Sequence, residues 1–205
     1  MVHMQAANSF FCPIPNQLNF FWALNHPCTE RRSYRVSFGA NDTDPIHWGT
    51  KNGYVGFLKV LAPLIDDLNM PNHYGETPIY VAVKMGHANV IEILAPLIVD
   101  DHNIPNHSGI TPIYFAAYKG HEDVIKILAP LANNPNASGP NGKTPIYVAA
   151  MMGHVNIIKL LAPLADNPNA PAGPHGLTPI QVAEQKNYWE CAKEIRITLL
   201  NSKST

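Results

Sequence analysis

A five-residue phrase returns along the chain at a nearly fixed interval. DPIHW begins at Asp44, TPIYV at Thr77, TPIYF at Thr111, TPIYV at Thr144 and TPIQV at Thr178, in steps of 33, 34, 33 and 34 residues. Nine residues after each start stand Gly53, Gly86, Gly120 and Gly153, with Asn187 in the last place. Apolar runs follow, such as VIEIL, VIKIL and IIKLL. A unit this short cannot bury an apolar face alone. A fixed period therefore predicts stacked units that touch only their neighbours, and not one large core.

The chemistry of one unit predicts its elements. Thr77 suits an N-cap, because its hydroxyl can accept a free backbone N–H of the first turn. Pro78 suits the first helical position, where no N–H is needed. Ile79, Ala82 and Val83 give one apolar face to a helix of about two turns. Ala82, Ala116, Ala149 and Ala183 are small, so neighbouring units can approach closely. Gly86 can take the left-handed conformation that ends the helix. A second helix is predicted from about Ala88, burying Val90, Ile91, Ile93 and Leu94. The stretch DDLNMPNHYGE then has the composition of an extended turn or hairpin.

Proline recurs in register. LAPL stands at 61–64, 94–97, 128–131 and 161–164. An interior proline costs a helix about 3 kcal/mol, so four would cost about 12 kcal/mol. Whole domains are stable by only about 5–15 kcal/mol. Pro63, Pro96, Pro130 and Pro163 are therefore expected to stop the second helix. They should bias the alanine before them away from helix. The following leucine is expected to pack back as a hydrophobic closure.

The pattern T-P-I-[YQ]-x-A with G-H at a period of 33 resembles the ankyrin repeat. The resemblance covers about residues 39–200 and implies an all-α solenoid of about five units. The expected units are 39–69, 70–102, 103–135, 136–168 and 169–200, with 201–205 as a tail. The first unit departs from the pattern, with Asp44 for Thr, Gly49 for Ala and Tyr54 for His. The last carries Glu190, Lys193, Glu194 and Arg196 on its second helix and lacks LAPL, which reads as a terminal cap. Residues 1–38 have no register. Asn16–Leu24 there is expected either as a short covering helix, through Phe20, Phe21 and Trp22, or as part of an irregular tail.

Composition narrows the functional classes. With 14 basic and 15 acidic residues, the chain lacks the basic excess of a phosphate-neutralising nucleic-acid binder. No stretch of 18 apolar residues exists, so no membrane span is expected. Cys12, Cys28 and Cys191 form no CxxC pair, and free thiols in a reducing, cytoplasmic setting are expected. No GxSxG or phosphate-binding glycine loop is present, and no catalytic function or cofactor is expected. His87, His121 and His154 recur once per unit, without metal-ligand spacing. The resemblance gives these histidines a structural role.

The resemblance also implies binding of another protein by a monomer, through a concave face of hairpin tips and first helices. Carried over by position, the tips are His73, Tyr74 and Glu76; His107, Ser108 and Ile110; Asn141 and Lys143; and His175 and Leu177. The helix positions are Lys51 and Asn52, Lys84 and Met85, Tyr118 and Lys119, Met151 and Met152, and Gln185 and Lys186. Tyrosine and methionine suit adaptable contacts. Lys51, Lys84, Lys119 and Lys186 form a broken basic stripe, suited to an acidic or phosphorylated segment or to ordinary solvation. Two other readings stay open. One is nucleotide-like ligand sensing by Tyr74, Tyr118, Lys84 and Lys119; the other is a structural spacer within a larger signalling protein. Finally, LAPLIDDLN resembles the pattern around hairpin asparagines that an oxygen-dependent asparaginyl hydroxylase modifies, which makes Asn69 a candidate. Asn136 and Asn169 keep the leucine but lack the acidic and aliphatic neighbours, and Asn103 is shifted by one.

Overall fold

The computed structural model describes residues 44–173 and 175–202. The expected covering helix at Asn16–Leu24, and Cys12 and Cys28, lie outside these residues. Among the described residues ten α-helices run in pairs: α1 Pro45–Lys51 and α2 Val55–Leu61; α3 Pro78–Met85 and α4 Ala88–Leu94; α5 Pro112–Lys119 and α6 Glu122–Leu128; α7 Pro145–Met152 and α8 Val155–Leu161; α9 Pro179–Gln185 and α10 Trp189–Asn201. The odd-numbered helices pack in sequence against one another, and so do the even-numbered ones. The result is a two-layer, all-α stack. The last helix reaches Asn201, into the stretch expected as a tail.

Each first helix starts as its residues dictate. The Tyr80, Tyr114 and Tyr147 N–H groups donate to Thr77, Thr111 and Thr144 Oγ1 at 3.1–3.2 Å. Asp44 takes the same part in the first unit, accepting from the His47 N–H at 2.9 Å. Thr178 and Gln181 form a reciprocal capping box. Where glycine closes the earlier helices at φ near +70 to +80°, Asn187 takes φ +63°. Asparagine tolerates that region better than most residues with a Cβ. The alanine contact positions 82, 116, 149 and 183 are fully buried. Gly49 departs from alanine for a steric reason: a Cβ there would lie 2.7 Å from the Phe57 ring.

The histidines clasp neighbouring units. His87 Nε2 donates to the Lys51 carbonyl at 3.2 Å, and His154 Nε2 donates to the Tyr118 carbonyl at 3.3 Å. These carbonyls lie in the last turns of α1 and α5, where a helix has no N–H donors of its own to offer them. The rings also lie against the glycine turns Gly53 and Gly120 of the preceding unit. Burial, with Lys119 and His154 nearby, lowers the His121 pKa.

The second helices end before the prolines, at Leu61, Leu94, Leu128 and Leu161. The Ala95 N–H makes the last α-type bond, to the Ile91 carbonyl. Pro96 has no N–H to give, and the next bond is tighter in register, from Ile98 N–H to the Ala95 carbonyl at 3.3 Å. Three of the four endings are 3₁₀ turns: Ala62–Leu64, Ala95–Leu97 and Ala162–Leu164. Two details correct the expectation. The alanine before each proline keeps right-handed helical angles, φ -57 to -61°. Its own N–H is bonded, and its single methyl leaves room for the proline ring. Leu64, Leu97, Leu131 and Leu164 do not pack back but are 41–61% exposed. A 3₁₀ turn has three residues per turn, so the leucine two places after the alanine is turned away from it. The residue after that leucine differs between the endings: Ile98 is buried, Ala165 half-buried and Ile65 exposed.

Replacing Pro96 with alanine is therefore expected to change the urea-unfolding free energy by less than about 1 kcal/mol, mainly through a looser unfolded chain. A gain near 3 kcal/mol would mean instead that the proline strains a helix interior.

In the last unit Cys191, Ala192 and Ile195 are fully buried. Burial and the neighbouring Glu190 push the Cys191 thiol up to about 11. The outer side of α10 is less uniformly polar than its charges imply, because Trp189 and Ile197 are exposed beside Glu190, Lys193 and Arg196.

Candidate partner-binding face

The loops before each first helix are built by short-range hydrogen bonds. Asn72 Oδ1 accepts the N–H groups of Tyr74 and Glu76 at 2.9 and 3.0 Å. Asn106 repeats this with Ser108 and Ile110 at 3.0 and 3.1 Å. The third tip lacks that side chain. There the Gly139 N–H donates to the Lys143 carbonyl at 2.8 Å, with Asn141 at φ +58°. Adjacent tips are linked: the His107 N–H donates to the Tyr74 carbonyl at 3.1 Å, and the Gly173 N–H to the Asn141 carbonyl at 2.9 Å. Backbone bonding thus fixes the side chains the tips carry.

Most residues expected to form the face are available on it. His73, Tyr74, Lys84, Met85, His107, Ser108, Tyr118, Lys119, Asn141, Met152 and His175 are exposed, and Ile110, Lys143 and Met151 are half-buried. Glu76 is not a free contact. It is buried, and its carboxylate accepts from Lys84 Nζ at 2.7 Å and Asn72 Nδ2 at 3.3 Å. Lys84 Nζ also lies 5.9 Å from the Tyr74 ring centre, and the His73 and Tyr74 rings are 3.8 Å apart. An open groove of about 280 Å³ runs between this cluster and Asn106, His107 and Ser108. With Lys84 held by Glu76, its positive charge is already met, which weakens the phosphate-holding role that nucleotide sensing gives it.

The sequence reading missed the layer beneath. The tyrosine of each TPIY phrase sits under the tips. Tyr80 accepts from Asn106 Nδ2 at 3.2 Å, and burial with the charge of Glu76 pushes its hydroxyl up to about 12. Tyr114 is raised by burial and by the nearness of Tyr118 and Tyr147. Lys119 Nζ stands 5.5 Å from the Tyr118 ring centre and 5.7 Å from that of Phe115. Lys143 Nζ stands 5.6 Å from that of Tyr147. The period of 33–34 already marked these tyrosines, since each directly follows the isoleucine of its phrase.

The loop asparagines behave differently from one another. Asn69 is half-buried, and its Nδ2 reaches the Asp101 carbonyl only at 3.5 Å. Asn103 is buried, donates from Nδ2 to the Asn134 carbonyl at 3.1 Å and accepts the Ile113 N–H at 3.0 Å. Asn169 accepts the Ile180 N–H at 3.1 Å in the same way. The one-residue shift at Asn103 is absorbed upstream by Val99, which is 98% exposed.

Among the described residues, no three His, Cys, Asp or Glu side chains gather as a metal set, and no helix is long and apolar enough to cross a membrane. A family model described as ankyrin repeats in three copies matches residues 46–138, 93–172 and 131–199. No curated protein matches the chain. Ankyrin repeats are in general non-enzymatic protein–protein interaction modules. The family match, the paired helices in two rows and the five-fold capped phrase agree, and the chain belongs to the ankyrin repeat family.

Proposed function

We propose that this protein binds a partner protein on the face made by its hairpin tips and the free ends of its first helices, as a non-enzymatic monomer. The observation that carries the reading is the regular exposure of large adaptable side chains on a hydrogen-bonded frame: Tyr74, Met85, Tyr118 and Met152, from three successive units. A preformed surface loses little ordering entropy on binding. The buried free thiol of Cys191 suits a reducing, cytoplasmic setting. Asn69 remains our proposed modification site, because its side chain is the least tightly held of the loop asparagines with a described bond; a peptide gaining no oxygen mass after hydroxylase treatment would end that idea.

The test is paired affinity capture. The wild-type chain should retain a partner that a Tyr74→Ala, Met85→Ala, Tyr118→Ala, Met152→Ala variant loses, with melting unchanged. Equal capture by both would remove this face from the reading.

A further inference from the structure

Charge is unevenly distributed over this face, and its units differ in what neutralises their lysines. In the second unit Lys84 is tied to the buried Glu76. Among the described residues, the other close pairs lie elsewhere. Lys126 meets Glu122 and Asp123, Lys193 meets Glu190, and Arg196 meets Glu184. Lys119 and Lys143 have no carboxylate within ion-pair reach among the described residues. Each is held over aromatic rings instead.

These two lysines belong to one patch. Tyr118 underlies Lys119 and Tyr147 underlies Lys143, and Tyr114 lies close enough to feel both phenols. Helices α5 and α7, which carry Tyr114, Tyr118 and Tyr147, pack directly against each other. Gly173 brings the next tip alongside, since a Cβ there would lie 3.5 Å from Lys143 Cε and 3.6 Å from the Tyr147 hydroxyl.

We infer that the partner segment seated on the third and fourth units is acidic, with Asp or Glu side chains meeting Lys119 and Lys143 and an apolar stem lying on the tyrosine rings. The inference rests on the protein-binding reading and names the chemistry of its partner. A lysine whose ammonium is already held over a ring has less freedom to lose on pairing. Phenol hydroxyls donate to carboxylates. Two cations without near anions are complementary to a short acidic stretch, whereas a nucleic-acid backbone needs a longer basic track. The neutralised Lys84–Glu76 corner marks where the acidic stretch should end.

The experiment is selection from a random-peptide phage library with the full chain as bait, followed by titration of the selected peptide as a labelled synthetic probe. Selected peptides should be enriched in Asp and Glu over the naive library. Lys119→Glu with Lys143→Glu should weaken the probe by at least about tenfold, and added salt should weaken it in the wild type. Lys119→Arg with Lys143→Arg should retain binding. Lys159→Glu, the same charge change on the second-helix row, should leave it unaltered. Melting curves of each variant separate lost binding from lost folding. Peptides without acidic enrichment, or equal affinity for the double Glu variant, would overturn the inference. If such peptides still lose affinity on Tyr74→Ala with Met152→Ala, the protein-binding reading stands without it. Displacement of the probe by an equal concentration of single-stranded oligothymidine would also overturn it, since the patch would then be a general polyanion site. Failure to select any peptide would count against both.

Discussion

Replacing Asn103 with alanine is expected to destabilise the fold by about 3 kcal/mol, more than any other single polar substitution on the loops. The side chain is 3% exposed and joins three segments. Its Oδ1 accepts the N–H of Ile113, one of the first-turn groups that α5 cannot satisfy itself. Its Nδ2 donates to the Asn134 carbonyl in the next loop, and its own N–H is held by Asp101 Oδ1 at 3.0 Å. Alanine would leave the buried Ile113 N–H unmatched, at about 1–3 kcal/mol, and would lose the part-buried bond to the Asn134 carbonyl, worth about 1 kcal/mol. In a chain of this size that corresponds to a fall of roughly 6–12 °C in Tm. Asn69→Ala is the comparison, because its cross-loop bond is long at 3.5 Å. It should cost under about 1 kcal/mol, the value of a typical single exchange with water. Urea unfolding of the two variants measures the difference. Equal losses would mean that the asparagines share one role and that the tighter geometry at Asn103 has no energetic weight.

The same contrast marks how far the sequence could be read. Rules that act over three or four residues were legible: threonine and proline at helix starts, glycine or Asn187 in the left-handed closing position, and alanine where helices touch. The proline stop was legible in place but not in form. Its leucines are exposed at all four endings, three of which wind with three residues per turn, and composition does not reveal that change of period. Relations across units were harder. Which histidine meets which carbonyl depends on contacts 36 residues apart, between His87 and Lys51 and between His154 and Tyr118. The shift at Asn103 looked like a broken motif, yet the extra residue is simply extruded at Val99. On the face itself, positions were legible and states were not. Glu76 and Lys84 are both plausible contacts by position, but the hairpin turns them onto each other. That pairing decides which lysines keep a charge to offer.

Leu128→Ala should have an effect as large as Asn103→Ala, but of a different kind. Leu128 is fully buried at the end of α6, which packs against α4, α5 and α8. Truncating a buried leucine costs about 2–5 kcal/mol through lost transfer energy and the cavity left behind. In a globular core that loss would be shared by the whole molecule. In a linear stack, stability is approximately a sum of unit terms and nearest-neighbour interfaces. Weakening the central unit therefore weakens its coupling to both sides. The urea transition should broaden, and hydrogen exchange should quicken in α4 and α8 as well as in α6. Ile195→Ala removes a similarly buried side chain from α10, whose described packing is with α8 and α9. Its loss should quicken exchange in α10 and α9 while leaving α4 nearly unchanged. Uniform acceleration across all the described helices in both variants would contradict the nearest-neighbour account, because it would mean that the units unfold only together. Confinement of the Leu128→Ala effect to α6 would contradict it from the other side, since the interfaces would then carry too little energy to make separate pairs of short helices fold at all.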